Sequence, residues 1–190
     1  MSKRILVLLL AAIVIAGLTA YKQTRTYNRP LAIAGRVVKR RAPLLELYDA
    51  HKPSRRVRLS AYLGRHRLII VFFDGELGAD RDPRLLRLRQ EVKRIDRAGI
   101  VVLAISAALP QQNRKVIARV EKGGGRILFP LLSDPAFEVH RAWKRFNETT
   151  GKPTQGIFLV DRAGLLEWSS DGPQPIVLSD PKFVEFIQGR

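Results

Sequence analysis

The stretch "RLIIVFF", residues 67–73, is a continuous run of apolar, β-branched and aromatic residues. Such a run is typical of a strand that is buried on both faces of a sheet. A second run of the same kind, "IVVLAIS" (100–106), follows a segment with helical periodicity. The two runs are therefore predicted to be two buried strands, separated along the chain by a helix.

The segment between the two runs carries the start, face and stop signals of a helix. Apolar residues from Leu85 to Ile95 recur at steps of three and four, which places them on one helical face. Asp82 followed by Pro83 predicts the start, because an aspartate side chain caps the first turn and proline fits its first position. Gly99 marks the end.

The rest of the sequence also alternates between predicted strands and predicted helices. A turn containing Pro53 is expected between the first two of the remaining strands, and "DRAG" (161–164) is expected to join the last two as a hairpin. Further helices are predicted from Pro110, near residues 135–146, and after Asp180-Pro181. The remaining strands are predicted at 44–49, 56–59, 126–129, 156–161 and 165–170. This order predicts an α/β fold with a mostly parallel sheet and an antiparallel end.

The N-terminus adds a membrane segment to this domain. Lys3 and Arg4 precede seventeen uncharged, mostly apolar residues, 5–21, which is at the short end of what spans a bilayer. A transmembrane anchor is predicted at 1–21, and a cleaved signal peptide, which would give a secreted protein, is the alternative. Residues 22–41 are predicted to be a basic linker and residues 42–190 the folded domain.

The net charge of +17 is divided between the N-terminal arm, residues 1–41, and the folded domain, residues 42–190. Residues 1–41 hold nine basic and no acidic side chains, whereas residues 42–190 hold 25 basic and 17 acidic ones. Nucleic-acid binding is disfavoured, because the basic residues of the domain occur on every predicted element without aromatic interleaving. Anionic lipid headgroups are a candidate partner for the arm, through Lys22, Arg25, Arg29, Arg36, Lys39, Arg40 and Arg41.

The sequence contains no cysteine. This excludes disulfides, thiolate metal ligands, thiol nucleophiles and a dithiol redox couple made by these residues alone. No cofactor is predicted either.

Four strings resemble the peroxiredoxin family of the alkyl hydroperoxide reductase and thiol-specific antioxidant type. They are "APLLELYD" (42–49), "LSAYLGRHRLIIVFF" (59–73), "FPLLSDP" (129–135) and "GIFLVDRAGLLEW" (156–168), and they follow the family's order. The resemblance implies a thioredoxin-like (redoxin) domain over 42–190, with a mixed sheet flanked by helices. It also implies an extracytoplasmic side for the domain, since tethered domains resembling this family commonly face outward.

The resemblance also implies where the family's chemistry would lie. The family carries a Pro-x-x-x-Thr-x-x-Cys motif just after the strand that matches "IIVFF", and an arginine before a later strand. Counted without gaps, the proline falls on Gly75, the threonine on Ala79, the cysteine on Asp82 and the arginine on Gln155. All four are replaced, so no catalytic residue is assigned and thiol peroxidase activity is not expected.

The loop "FFDGELGADRDP" (72–83) leaves three interpretations open. Helix capping and solvation is the simplest one for its acidic residues. Weak cation binding is the second, through the oxygen ligands of Asp74, Glu76, Asp80 and Asp82. A retained small-molecule or partner pocket is the third. His51, His66 and His140 lie too far apart in sequence for a local metal motif, so no metal site is assigned to them.

Three functional hypotheses follow from these residues. The first is a membrane-tethered redoxin domain without thiol chemistry that acts as a binding or scaffolding module. The second is an acid-rich pocket used for cation-dependent or acid/base chemistry. The third is a basic surface-binding protein for anionic lipid or nucleic acid.

Overall fold

The computed structural model describes residues 36–173 and 180–188. The strands are β1 Arg36–Arg41, β2 Glu46–Asp49, β3 Lys52–Arg58, β4 Arg67–Phe72, β5 Ile100–Ser106, β6 Leu131–Ser133, β7 Phe146–Asn147, β8 Lys152–Pro153, β9 Gly156–Val160 and β10 Leu165–Asp171. The helices are α1 Pro83–Gln90, α2 Val92–Arg97, α3 Pro110–Lys122, α4 Glu138–Ala142 and α5 Pro181–Gln188.

Eight strands form one mixed sheet in the order β1-β10-β9-β4-β5-β6-β2-β3, and β7 and β8 form a separate ribbon. Only β4, β5 and β6 are parallel to one another. Because β9 enters the sheet antiparallel to β4, and β2 antiparallel to β6, both sides of this parallel centre are antiparallel. The predicted α/β class is confirmed, but the sheet contains fewer parallel pairs than expected.

The two runs that predict buried strands are β4 and β5, at the centre of this sheet. Their register pairs Arg67 with Ile100 through Phe72 with Ile105. Helices α1, α2, α3 and α5 pack their apolar residues on one face of the sheet, including Leu88, Ile117 and Phe186. Helix α4 packs on the other face. The sheet is thus covered on both sides, as its uniformly apolar central strands require.

Several predicted boundaries differ from those of the structure. Strand β1 begins six residues before residue 42, so the end of the predicted linker is part of the sheet. Pro53 lies within β3 instead of a turn, which is tolerated because β3 is an edge strand. The 126–129 strand prediction is wrong, because pairing with β5 begins only at Leu131, after Pro130.

The helices also differ in length. The predicted helix after Asp82 is interrupted at Glu91, which has a non-helical backbone, so two short helices replace one. The helix predicted near 135–146 is reduced to α4, because Phe137 adopts a left-handed conformation before it and Lys144 does so after it. Neither interruption is visible in the apolar spacing, since Leu88 and Ile95 on either side of Glu91, and Val139 and Trp143 around α4, still pack in the core.

Among the described residues, none of the helices is long and apolar enough to cross a bilayer. The predicted anchor, residues 5–21, lies outside the described ranges, as does most of the predicted linker.

Candidate functional site

The candidate site lies where β4 ends and the chain turns into α1. The Phe73 amide still pairs with the Ile105 carbonyl at 2.9 Å, which extends the sheet by one residue. The Asp74 carboxylate then accepts hydrogen bonds from the amides of Glu76 (2.8 Å) and Leu77 (3.4 Å). Asp74 therefore closes a local turn, the ordinary use of an aspartate at such a position.

Asp82 caps α1 from a fully buried position. Its Oδ1 accepts hydrogen bonds from the amides of Arg84 (2.9 Å) and Leu85 (3.2 Å), and Pro83 occupies the first helical position. The predicted N-cap is confirmed. However, the residue is 0% exposed, so this aspartate does not belong to a solvated loop.

The Asp82 carboxylate forms a buried ion pair with the side chain of Arg84. The guanidinium donates from Nε to Oδ1 (3.1 Å) and from Nη2 to Oδ2 (2.6 Å), in the two-pronged geometry typical of strong arginine–carboxylate pairs. Arg84 is itself 0% exposed. A buried charge is tolerated only when it is paired and fully hydrogen-bonded.

The remaining donors of Arg84 connect distant parts of the chain. Nη2 also contacts the Phe72 carbonyl and the Gln155 Oε1, both at 3.0 Å, and Nη1 donates to the Gly172 carbonyl at 3.0 Å. The guanidinium thus joins the end of β4, the start of α1, the segment before β9 and the turn after β10. Because Asp82 is 0% exposed and paired with Arg84, its carboxylate is not accessible for proton abstraction or for cation binding.

A cavity of about 460 Å³ opens beside this network. Neither Asp82 nor Ala79 lines it. Phe73 and Phe137 supply aromatic surface, whereas Asp74, Glu76 and Lys152 supply charge. The complete lining is Phe73, Asp74, Gly75, Glu76, Ala107, Ala108, Gln112, Phe137, Lys152, Pro153, Thr154 and Gln155.

Gly75 allows this loop to approach the end of β5. A β-carbon built on Gly75 would lie 2.7 Å from the Ala108 β-carbon and 3.0 Å from the Ala108 amide nitrogen. Any larger residue would push the loop away from the segment that begins α3. Close packing therefore favours glycine at this position, which is the one predicted to match the family's proline.

The four acidic residues of the loop are not brought together. Asp80 forms an exposed ion pair with Arg119 of α3, with contacts of 2.7 and 2.8 Å. Hydrogen bonds from Arg119 hold the pKa of the Asp80 carboxyl below its usual value. Asp74 and Asp82 are used in the turn and the cap. Within residues 36–173 and 180–188, no group of three acidic or histidine residues is arranged to hold a metal ion.

The three histidines also lie apart. The His51 Nδ1 faces Asp49 Oδ1 at 3.1 Å, and its Nε2 faces the Ile127 carbonyl at 3.0 Å. His140 is buried, with its Nδ1 2.7 Å from Asp134 Oδ2, and His66 packs edge-on against Tyr62. Each has a structural role.

The Asp49–His51 pair is electrostatically coupled. The hydrogen bond to Asp49 raises the pKa of His51 above its usual 6.5. Burial acts to raise the pKa of Asp49, but hydrogen bonds from His51 outweigh it, so the pKa of the carboxyl is lowered. Because both ring nitrogens face acceptors, the doubly protonated imidazolium suits this environment best.

Comparison with known proteins identifies the fold and the family. The family model described as the AhpC/TSA family matches residues 38–169. The chain belongs to the AhpC/TSA family. The resemblance that the sequence strings indicate is therefore confirmed.

Relatives and solved structures of this family agree with the assignment. Alkyl hydroperoxide reductase E of Mycobacterium tuberculosis is 31% identical over 115 residues, 60% of this chain and 72% of that protein. The structure of peroxidoxin BcpB from the same species superimposes with a TM-score of 0.65 at 18% identity, over 80% of this chain and 97% of that one. The mitochondrial 2-Cys peroxiredoxin of Plasmodium falciparum gives 0.65 at 15% identity, over 80% and 93%.

The register that assigns family positions to this AhpC/TSA chain stays a prediction. In the structure, Asp82 and Gln155 meet at the same guanidinium, Gly75 and Gln155 line the cavity, and Ala79 is buried nearby. Sequence reasoning missed Arg84, which joins the first two. Its only sequence signal is a basic residue in the first turn of a helix, where the helix dipole disfavours positive charge.

Proposed function

We propose that this chain is a membrane-tethered redoxin domain that does not reduce peroxides itself and acts as a binding or scaffolding module. The observation that supports this most directly is the buried Asp82–Arg84 pair. A family peroxidase needs an oxidisable sulfur that a peroxide can reach. The predicted cysteine position instead holds a carboxylate that is 0% exposed and accepts four hydrogen bonds.

The cavity supports the binding part of the proposal. Its volume of about 460 Å³ lies within the range of small-molecule sites, and it combines two aromatic rings with several polar groups. The relatives named for hydroperoxide reduction place their activity on the same fold. In this chain a concave site lies beside Gln155 and the loop that leads to Asp82, the position predicted to match the family's cysteine.

The first test is peroxide turnover by the full chain. Purified protein is incubated with an alkyl hydroperoxide and a thiol reductant, and peroxide loss is compared with a heat-treated sample. We expect equal rates, because no residue of the chain can cycle between thiol and sulfenic acid. Turnover above the heated control contradicts the non-catalytic proposal.

The Asp82→Cys variant tests how much of a peroxidase site remains. Arg84 would lie beside the new sulfur and favour the thiolate. We nevertheless expect at most slow peroxide reduction, because the position is buried and neither Ala79 nor Gln155 can orient a peroxide. Circular dichroism verifies that the variant folds. Fast turnover would show that the assignment of Ala79 and Gln155 is wrong.

Membrane tethering is tested separately. The full chain is expressed with its N-terminal segment, and membranes are extracted at alkaline pH, which releases peripheral proteins. Retention in the pellet, lost when residues 5–21 are deleted, is expected for an anchor. A soluble, N-terminally shortened product would instead indicate a cleaved signal peptide. Protease access to the domain in intact cells tests the proposed extracytoplasmic side.

A further inference from the structure

The net positive charge of the domain is concentrated in one part of the chain. Residues 83–126 hold eleven basic and three acidic side chains, whereas the rest of residues 42–190 holds fourteen of each. Basic residues are indeed spread over every element, as the sequence suggests, but acidic residues are nearly absent from this one segment. It therefore accounts for the whole excess of the domain.

The fold gathers this charge on one face. Because β4, β5 and β6 are parallel neighbours, the helices that connect them lie side by side on the same side of the sheet. Their apolar residues belong to one core cluster. Among the basic residues of 83–126, only Arg84 is buried. Nine are exposed and Arg89 is half-buried. The ten that form the basic helical face are Arg87, Arg89, Lys93, Arg94, Arg97, Arg114, Lys115, Arg119, Lys122 and Arg126.

Several contacts show that α1, with the loop before it, lies next to α3 and the turn that follows it. The Arg89 guanidinium reaches to within 3.9 Å of a β-carbon built on Gly125, so α1 borders the turn that follows α3. Arg119 reaches across to Asp80 in the loop before α1. Glu91, between α1 and α2, lies 3.9 Å from Arg87 and 4.0 Å from Arg94. Together with Asp80, the three acidic residues of 83–126 are too few to neutralise the ten cations of this face.

We propose that the basic helical face docks on anionic phospholipid headgroups. Seven of its ten cations are arginines, whose guanidinium groups match phosphate oxygens in two-pronged hydrogen bonds. Two exposed leucines flank α3 in sequence: Leu109, directly before the helix, is 51% exposed, and Leu128, six residues after its last residue, is 59% exposed. Cations combined with exposed apolar side chains are the composition that binds membrane interfaces.

A nucleic acid fits this face less well. Residues 83–126 contain no phenylalanine, tyrosine or tryptophan, so the segment offers no ring on which a base could stack. A lipid surface requires no base recognition, only a broad field of anions. The proposal relies on the proposed tether only for proximity to lipid, since the charge of the face belongs to the domain itself.

The absence of cysteine makes a single-site experiment on the full chain simple. Ala118→Cys places one label on the basic helical face, and Ala142→Cys places a matched label on α4, on the opposite side of the sheet. Both alanines are exposed and helical or at a helix end. Each labelled chain is reconstituted into vesicles that carry nitroxide lipids, and quenching of the fluorophore is measured.

We expect the two labels to be quenched equally in pure phosphatidylcholine. With 30% phosphatidylserine at low salt, label 118 should be quenched severalfold more than label 142, and the difference should disappear as salt is raised. Equal quenching at every lipid composition overturns the proposal. A response of label 118 to duplex DNA or polyglutamate, without a response to phosphatidylserine, also overturns it, in favour of that polyanion.

Two triple variants isolate the face from total charge. Lys93→Gln, Lys115→Gln and Lys122→Gln should shift the docked equilibrium about a hundredfold towards the undocked state at low salt. Lys52→Gln, Arg55→Gln and Arg65→Gln change the net charge equally but lie off the face, and should leave docking intact. Equal loss in both triples overturns the assignment to this face. Alkaline extraction tests the membrane anchor independently. Failure of the lipid-docking proposal therefore does not imply failure of the anchor proposal, or the reverse.

Discussion

Asp80 and Asp82, two residues apart before α1, each pair with an arginine, Arg119 of α3 and Arg84 of α1. The two pairs differ mainly in their exposure to solvent. Asp82 and Arg84 are both 0% exposed, whereas the side chains of Asp80 and Arg119 are 14% and 51% exposed. The shortest nitrogen–oxygen distances of the two pairs are similar, 2.6 Å for Arg84–Asp82 and 2.7 Å for Arg119–Asp80. Because the geometry of the two pairs is alike, the difference in solvent access predicts that the fold depends more strongly on the buried pair than on the other one.

The buried pair is costly to break and less costly to replace. An ion whose partner is removed in the interior loses solvation without compensation, whereas an intact or fully replaced pair does not. The Asp80–Arg119 pair is partly exposed, so water and salt screen it, and the partner that remains after a substitution can be solvated. The loss of stability caused by a substitution is therefore expected to decrease as the exposure of the substituted pair increases.

Arg84→Met should have the largest effect. It leaves Asp82 as an uncompensated buried carboxylate, which typically costs about 3–5 kcal/mol of unfolding free energy. Urea denaturation followed by circular dichroism measures the loss. The double variant Asp82→Ser with Arg84→Met removes both charges and keeps a capping hydroxyl, so it should recover part of the stability. If the double variant is less stable than the single one, the pair is not the source of the cost.

Gly75→Ala should have the next largest effect, because the added methyl would lie 2.7 Å from the Ala108 β-carbon. Overpacking of this kind typically costs about 1–3 kcal/mol. Glu76→Ala, at the neighbouring exposed position, is the matched control and should change stability little. Equal stability of both variants in urea would show that the loop moves freely away from α3.

The Asp49–His51 pair has intermediate burial and should give a pH-dependent effect. The pKa of His51 is raised in the folded state, so its contribution is full below about pH 6.5 and is lost as pH rises through the folded-state pKa. The stability difference between wild type and His51→Gln should therefore shrink between pH 6 and pH 9. A constant difference over this range would indicate a neutral His51.

Asp80→Asn should have the smallest effect. The Asp80–Arg119 pair is exposed, so its loss should be a small fraction of that seen for Arg84→Met, and the difference should decrease further at high salt. The pKa of Asp80 is lowered in the folded state, so any contribution is lost as pH falls through that pKa. A large loss of stability that does not depend on salt would show that Asp80 contributes as strongly as the buried Asp82–Arg84 pair.

The sequence predicts the fold well where burial is uniform. Strand β5 and the start of α1 at Asp82 agree with the sequence pattern, because continuous apolar runs and capping residues are local signals. The strand at 126–129 was misplaced, because Ile127 and Phe129 are buried without entering the sheet. Burial and ladder pairing are different properties, and hydrophobicity reports only the first.

The candidate site was predicted only in part, for a related reason. The Asp-Pro cap is local and was found, but the partner of Asp82 was not. Arg84 approaches Gln155 and Gly172, which are 71 and 88 residues away in sequence. No local pattern encodes a contact of this range. Among the acidic residues of the loop, Glu76 is exposed, whereas Asp82 caps the helix, as predicted, from a buried position that the local pattern does not indicate.

The long reach of Arg84 also has a consequence for folding kinetics. Its hydrogen bonds to Gln155 and Gly172 require β9 and β10 to be already in place beside β4. Contacts that close such long loops tend to form late. Their loss should then mainly accelerate unfolding and leave the folding rate little changed. Stopped-flow rates for Arg84→Met test this, and a slowed folding limb would place the network in the folding nucleus. The buried Asp82–Arg84 pair would thus set the unfolding rate, and with it the lifetime of the native domain.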